Sequence, residues 1–482
     1  MKLQGRHVLI LGLGESGLAC ARWCARQGAR VRVADTRAAP PYLDELRRRV
    51  TSADFRPGEF DKGLLDGIDL LVLSPGLSGG LMVVIHARAA GIPVLGEIEL
   101  FAQAMRDING GRPHLPPVLA ITGTNGKTTT TALTGHLLRA TGRTVGVAGN
   151  ISPAALTALM DAQDAGALPE AWVLELSSFQ LETTETLNPV AATVLNVSDD
   201  HLDRYIDLDE YASVKARVFQ SGAGTPCIQV LNRNDPRVCR MVLPDRQIVS
   251  FGLDAPAAAE DFGLRVQRGE TWLAQGANFL VPLAELPLAG LHNAANAMAA
   301  LALCGSLGID AATLLPALRS FRGLPHRVER IAERQGVTWY DDSKGTNVGA
   351  TVAALDGIGG QLANAGNQND HKIILIAGGD GKGQDFSPMR LAVASHARAV
   401  ILIGRDGPLI GKAIAGAGVA VEAAADMDDA VCRAAALAQP GDAVLLSPAC
   451  ASFDMYRNYE HRAQAFAAAV TALAASGTGA SR

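Results

Sequence analysis

The sequence predicts an α/β protein of three domains in series. An N-terminal Rossmann-like parallel sheet spans 1–107, a central P-loop-type ATPase domain with a small antiparallel sheet spans 108–322, and a C-terminal Rossmann-like domain spans 323–482. Three observations lead there. Val-, Leu- and Ile-rich runs alternate with amphipathic stretches in three successive series, the pattern of helices packed on parallel strands. Two glycine-bearing loops, "GLGESG" and "TGTNGKTT", each follow such a run and open a helical stretch. The 482 residues are about three times the ~150 of an ordinary domain.

In the first series "HVLILGL" (7–13) and "VRVAD" (31–35) read as strands around a helix that starts near Ser16 and that Gly28 ends. "LLVLSPG" (70–76), a helix over 81–90 and "IPV" before Gly96 continue it. "DINGGRPHLPP" (107–117) reads as a linker. The second series runs through "VLAITGTNGKTTTTALTGHLL" (118–138), "TVGVAGN" (144–150), "AWVLELSS" (171–178) and "VAATVLNV" (190–197), as buried parallel strands should. Short alternating segments over 247–283 indicate antiparallel strands, and an Ala-rich helix from His292 to Leu307 stops at Gly308. "GLPHR" (323–327) marks the next change. "GVTWYDDSKGTN" (336–347), "IILIAGGDGKG" (373–383), "AVILIG" (399–404) and "DAVLLSPACAS" (442–452) form the third alternation, closed by a helix over 459–474. "IGGQLANAGNQND" (358–370) reads as a surface loop and the terminal "ASGTGASR" as disordered.

Composition excludes several classes. A net charge of −5 with no dominant block argues against nucleic acid and anionic membranes as partners. The Arg47-Arg48-Arg49 run reads as the solvated face of a short helix. Seven scattered cysteines without a C-x-x-C pair suit a reducing cytoplasm, and no apolar stretch reaches the ~20 residues a membrane helix needs.

Gly12, Gly14 and Gly17 keep the G-x-G-x-x-G spacing, and Asp35 stands eighteen residues after the last. That is the layout of a dinucleotide-binding turn with an acid for a ribose hydroxyl, and alone it reads as an NAD-dependent oxidoreductase. The second loop points elsewhere. Gly123, Thr124, Asn125, Gly126, Lys127, Thr128 and Thr129 form a turn whose backbone N–H groups and helix N-terminus suit a polyphosphate. Lys127 is placed for the β/γ-phosphates and the Thr128 hydroxyl for Mg²⁺, although Ile121 occupies the position of the usual first glycine. Glu175 and His201 follow strands, at the strand ends where open sheets hold ligands, and their types suit a second set of Mg²⁺ ligands. Lys215 has Tyr211 at i−4 and Phe219 at i+4, so on chemistry alone it reads as a lysine stem lying on apolar neighbours.

"GTNGKTT", "ELSSFQLE", "LNVSDDHLDRY", "YASVKARVF", "GLHNAANAMAA", "GLPHR", "DDSKGTN", "GGDGKG" and "LLSPACASFD" occur in this order. Together they closely resemble the Mur ligases of peptidoglycan synthesis, over nearly the whole chain. The phosphate loop is shared by all Mur ligases and by folylpolyglutamate synthetases. "ELSSFQLE", "DHLDRY" and "SPACAS" are particular to the branch that adds D-glutamate. The resemblance implies a cytoplasmic, monomeric enzyme that uses ATP to phosphorylate the carboxylate of UDP-N-acetylmuramoyl-L-alanine. D-Glutamate then attacks the acyl phosphate, giving an amide, ADP and phosphate. Two Mg²⁺ ions are implied: one at Thr128 with Glu175 nearby, the other at His201 and a carbamylated Lys215. By motif, Asn293, Asn296, Arg327 and Asp342 surround the nucleotide, and Asn150 meets the muramoyl-peptide end. Lys344, Thr346, Lys382, Ser452 and the backbone around Tyr459 receive D-glutamate. The first glycine turn is then a site for uridine diphosphate rather than NAD. Asp35, Thr36 and Arg37 lie at the uracil end, Gly14, Ser16 and Gly17 near the pyrophosphate, and Gly76 at the border. Closure about "GLPHR" is implied, to keep water from the acyl phosphate. The alternative readings are another amino-acid ligase of the same type or, with the glycine turn alone as support, an oxidoreductase.

Overall fold

The computed structural model describes residues 2–108, 115–200, 204–220, 227–288, 290–365 and 371–476. Its strands form three sheets. The first holds β1 (His7–Leu11), β2 (Arg30–Asp35), β3 (Asp54–Pro57), β4 (Leu70–Leu73) and β5 (Val94–Leu95), all parallel in the order β3-β2-β1-β4-β5. Strand order reverses between β1 and β4, and the glycine turn leaves β1 at that point, where such sheets bind ligands. The helix Glu15–Arg26 starts at this turn.

The second sheet has nine strands: β6 (Val118–Thr122), β7 (Val145–Gly149), β8 (Ala171–Glu175), β9 (Ala191–Val194), β10 (Ile228–Asn232), β11 (Ile248–Phe251), β12 (Phe262–Gln267), β13 (Glu270–Gln275) and β14 (Asn278–Pro282). They lie in the order β14-β13-β12-β11-β10-β9-β6-β8-β7. The expected antiparallel segment is therefore not a separate sheet. β11 is parallel to β10, and Phe251 pairs with Phe262 to join β12 to the same ladder; only β12-β13-β14 run antiparallel. The hairpins cover an edge of β11 that would otherwise present unpaired N–H and C=O groups. The Ala-rich helix, Leu291–Gly305, packs on this sheet and buries Ala294 and Ala297–Cys304 in the core.

The third sheet holds β15 (Glu329–Arg334), β16 (Val337–Asp341), β17 (Ile373–Gly378), β18 (Ala397–Ile403), β19 (Ala420–Ala423) and β20 (Ala443–Leu446), in the order β15-β16-β20-β17-β18-β19. Only β15 runs antiparallel to its neighbour.

Two loop expectations are corrected. Residues 358–365 belong to the helix Val348–Ala365, with Leu355 and Ile358 in the core; 366–370 lie outside the described residues. The Gly359-Gly360 pair reads as a loop in sequence. Yet a Cβ on Gly359 would sit 2.2 Å from His396 Nδ1, so the glycine serves close packing within a helix. The last helix extends over Tyr459–Ser476, into the terminal segment expected to be disordered; 477–482 lie outside the described residues. Arg47, Arg48 and Arg49 lie on the outside of the helix Leu43–Arg49 and pair with Asp44 and Glu45. All seven cysteines are free.

The sequence reading also missed a helix, Glu97–Ile108, just before the expected linker, whose residues 109–114 lie outside the described residues. Its Phe101 packs edge-on to Trp172 of β8, ring centroids 5.2 Å apart. Two carboxylates bury themselves on backbone donors of the second unit. Glu97 Oε1 accepts from Leu156 N at 2.6 Å, and Glu99 Oε2 accepts from Glu185 N and Thr186 N at 2.8 and 2.9 Å. Through this helix one apolar core runs unbroken from Leu3, Val8 and Val33 to Trp172, Val194 and Tyr211.

Candidate active site

The phosphate loop leaves β6 and enters the helix Lys127–Ala140. Both of its glycines are demanded by close approach. Gly126 has φ +82° and a Cβ there would lie 2.4 Å from Asn296 Oδ1; Gly123 has φ +148° and faces the Leu195 backbone. The loop is braced by the segment after β9: Asn196 O accepts from Thr124 N at 2.9 Å, and Asn196 Oδ1 from Asn125 N at 2.8 Å. Lys127 Nζ bends back over its own loop and donates to Gly123 O and Thr124 O at 2.9 and 2.8 Å.

Gly123 O also accepts from Lys215 Nζ, at 2.9 Å, so two lysine amines share one carbonyl. Lys215 is 1% exposed and lies 4.3 Å from the centre of the Tyr211 ring. Burial first, then the neighbouring Lys127 charge, push its pKa well below the ordinary lysine value, against Asp200, which raises it. A stem lying on apolar neighbours describes only half of this residue: its amine is aimed at the loop and disposed to be neutral.

Glu175 ends β8 and is buried. Its Oε1 accepts from Asn150 Nδ2 at 2.7 Å, while its Oε2 has no hydrogen-bond partner among the described residues. A buried anionic oxygen without a partner is costly and is suited to a cation. His201 lies outside the described residues.

The third unit reaches into this loop. Arg327 Nη2 donates to Thr128 Oγ1 at 2.8 Å, and Asn347 Nδ2 to Asn125 Oδ1 at 2.9 Å. A cavity of about 730 Å³ opens between the units, and Asn125, Gly126, Thr129, Asn293, Asn296, Arg327 and Asp342 all line it. Burial raises the Asp342 carboxyl to about 7, against a hydrogen bond from Ser447 and the Arg327 charge. Sequence reasoning missed Phe251, Leu288, His292 and Tyr340, which also line the cavity. His292 stands beside Asn293 in "GLHNAAN", a signal that was there to be read. The apolar members come from separate elements and have none.

Near the same loop, Lys344 is partly buried and its Nζ lies 5.1 Å from the centre of the Tyr459 ring. Burial first, then Arg327, lower its pKa to about 8, and Glu175 acts in the opposite sense. Ser343 Oγ donates to Tyr459 O at 2.8 Å, fixing that backbone. Thr346 is partly buried, Ser452 is buried and Lys382 is exposed, with φ +51°.

The first glycine turn is a separate locus. Gly12 has φ +85°, and a Cβ on Gly17 would meet Gly12 O at 2.0 Å, whereas at Gly14 and Gly76 it would meet nothing within 4 Å. The turn is closed on its inner side and open on its outer side, as close backbone approach to a ligand requires. Asp35 is buried and accepts from Leu13 N and Arg37 Nη2 at 2.8 Å and from Arg37 N at 2.9 Å. Against the burial that would raise it, these bonds hold its carboxyl at about 2. Asp35 thus staples the turn to Arg37, with both oxygens engaged; Thr36 is exposed beside it and Ser16 partly buried. Glu15 connects the two loci, accepting from Ser152 Oγ and Ala154 N at 2.7 and 3.1 Å, just after Asn150.

Three family models match the chain: the Mur ligase MurD-like N-terminal domain over residues 6–96, the Mur ligase middle domain over 121–304 and the Mur ligase glutamate ligase domain over 326–450. The chain is 59% identical to the UDP-N-acetylmuramoylalanine–D-glutamate ligase of Aromatoleum aromaticum, over 98% of each chain. It is 52% identical to the protein of the same name from Nitrosospira multiformis, over 99% of this chain and 98% of that one. Two solved structures share the fold. The UDP-N-acetylmuramate–alanine ligase of Thermotoga maritima has a TM-score of 0.60 at 19% identity, covering 97% of this chain and 99% of its own. The pseudomurein peptide ligase of Methanothermus fervidus has 0.58 at 18%, covering 97% and 100%.

Proposed function

The chain belongs to the Mur ligase family, and from that premise we propose that it joins D-glutamate to UDP-N-acetylmuramoyl-L-alanine at the cost of ATP, in peptidoglycan precursor synthesis. The observation that carries this reading is the junction at the phosphate loop, where Arg327 and Asn347 of one unit bond Thr128 and Asn125 of another. A nucleotide in the adjoining cavity has its phosphates beside Lys127, with Lys344 in the same electrostatic field. Three reactants can meet there: a nucleotide, a carboxylate presented past Asn150, and an amino acid from the third unit.

In this reading Lys127 releases its two carbonyls and turns to the phosphates, and Arg327 follows the γ-phosphoryl group as it passes to the substrate carboxylate. The neutral amine of D-glutamate attacks the acyl carbon of the acyl phosphate, phosphate departs with the electron pair of the C–O bond, and the nitrogen loses one proton to leave the amide N–H. Lys344, Thr346, Lys382, Ser452 and the Tyr459 backbone hold the amino acid; a dicarboxylate requires such cations and donors. Asn293, Asn296 and Asp342 hold the nucleoside. The first glycine turn, with Asp35, Thr36 and Arg37, takes the uridine diphosphate.

Mg²⁺ fits the donors present: Glu175 Oε2, without a hydrogen-bond partner among the described residues, the Thr128 hydroxyl and, once carbamylated, Lys215, with His201 as the remaining ligand. Bound there, it offsets the charge gathered on the phosphates. The neutral Lys215 amine adds to the carbon of CO₂ and loses a proton, so that a side chain that would repel Mg²⁺ as a cation becomes an anionic oxygen ligand. We place the enzyme in the cytoplasm as a monomer; among the described residues no helix is long and apolar enough to cross a membrane.

Phosphate release from ATP tests this. It requires UDP-N-acetylmuramoyl-L-alanine and D-glutamate together, and the product gains one glutamate. Release indifferent to the amino acid supplied overturns the assignment. A pH series tests Lys344 separately. With its pKa at about 8, the ammonium is present below that pH and lost above it. The KM for D-glutamate therefore rises between pH 8 and about 9.5, and Lys344→Arg, which stays charged, flattens the rise. An identical profile in both proteins removes Lys344 from the amino-acid site.

A further inference from the structure

Three loops leave neighbouring strands of the third sheet at their carboxyl ends. The loop after β17 carries Lys382, that after β20 carries Ser452, and the turn after β18 carries Arg405 and Asp406. The first two are tied by a short bridge: Asp380 N donates to Ala451 O at 2.9 Å and Ala451 N to Asp380 O at 2.8 Å. Lys382 is in the left-handed region, where a residue with a Cβ is strained, and its N–H is capped by Asp380 Oδ1 at 3.1 Å.

The third turn grips both loops. Asp406 Oδ2 accepts from Gly381 N at 2.7 Å and Asp406 N donates to Gly379 O at 3.0 Å, on either side of Asp380. Arg405 N donates to Asp454 Oδ2 at 2.9 Å, and the Arg405 guanidinium pairs with Asp380. The Asp406 carboxylate also pairs with the exposed Arg405 guanidinium at 3.5 Å, but is itself only 17% exposed, so its bond to Gly381 is largely shielded from water. The turn carries none of the residues assigned to the substrates, yet it fixes the residue immediately before the strained lysine.

We infer that Asp406 is a positioning residue for the amino-acid site: by fixing Gly381 it holds Lys382 in its left-handed conformation and so sets the affinity for the dicarboxylate. This rests on the reading that Lys382 receives D-glutamate. Asp406→Ala raises the KM for D-glutamate about tenfold, the scale of one lost charge-assisted hydrogen bond. KM values for ATP and the uridine-linked substrate stay within about twofold. Asp406→Asn, whose carbonyl still accepts from Gly381 N, recovers most of the loss. In a Lys382→Ala background, Asp406→Ala changes nothing further, because neighbours that act through one another are not additive. An undiminished effect in that background, or equal effects on all three substrates, overturns the inference. Lys382→Ala without effect on D-glutamate overturns the underlying reading and the inference with it. A normal Lys382 effect with a silent Asp406→Ala overturns the inference alone. Asp454→Ala, which frees the other tether, gives the same contrast if Asp406→Ala does not fold.

Discussion

Lys215→Ala is expected to lower turnover by about a thousandfold, the scale on which removal of a group that stabilises transition-state charge acts. A protonated lysine this deeply buried, sharing a carbonyl with Lys127, is held at high cost. The neutral amine is a nucleophile for CO₂, and the resulting carbamate places a negative charge beside Lys127 instead of a second positive one. The site therefore favours the modified lysine electrostatically. Phosphate release in the variant is the readout, with partial recovery on adding a short carboxylic acid that can occupy the vacated space. Wild-type activity in the variant, or no gain in mass on Lys215 in protein equilibrated with bicarbonate, removes the metal-ligand role.

Gly17→Ala is expected to raise the KM for UDP-N-acetylmuramoyl-L-alanine by about a hundredfold, matching an overpacking penalty of about 1–3 kcal/mol. A Cβ there would lie 2.0 Å from Gly12 O, a backbone atom that no rotamer change can move aside. The turn must open, and the Leu13 N–Asp35 bond loosens with it. Affinity for ATP stays, because the phosphate loop belongs to another sheet. Substrate titrations separate the two. Equal losses for both nucleotides would show that the turn supports the whole molecule rather than one ligand.

Much of the architecture was legible because buried parallel strands are near-continuous apolar runs, and both glycine turns advertise themselves by their spacing. Of the residues named around the phosphate loop, Asn125, Gly126, Thr129, Asn293, Asn296, Arg327 and Asp342 line one cavity, while Gly123, Thr124, Lys127 and Thr128 are not among its lining. What stayed hidden lacked a local signature. The helix Glu97–Ile108 carries two buried glutamates, whose burial shows only once Leu156, Glu185 and Thr186 are seen to donate to them. Gly359-Gly360 read as a loop because the sequence does not show the His396 ring packed against the first. The pKa of Lys215 is lowered by burial first and then by Lys127, eighty-eight residues away, and only the fold buries the one and brings the other to the same carbonyl.

The unbroken core beneath the helix Glu97–Ile108 sets how separable the parts are. The first sheet shares its apolar interior with the second, whereas the third has apolar clusters of its own and meets the second through polar contacts such as Arg327–Thr128 and Asn347–Asn125. The third unit is thus the one suited to transplantation: a related unit grafted after residue 323 must reproduce a few hydrogen bonds and the seat of the helix Val348–Ala365 on Leu291–Gly305, not a shared core. A graft of the first must bring its helix and a matching seat around Trp172, or leave a wound in the core of its host.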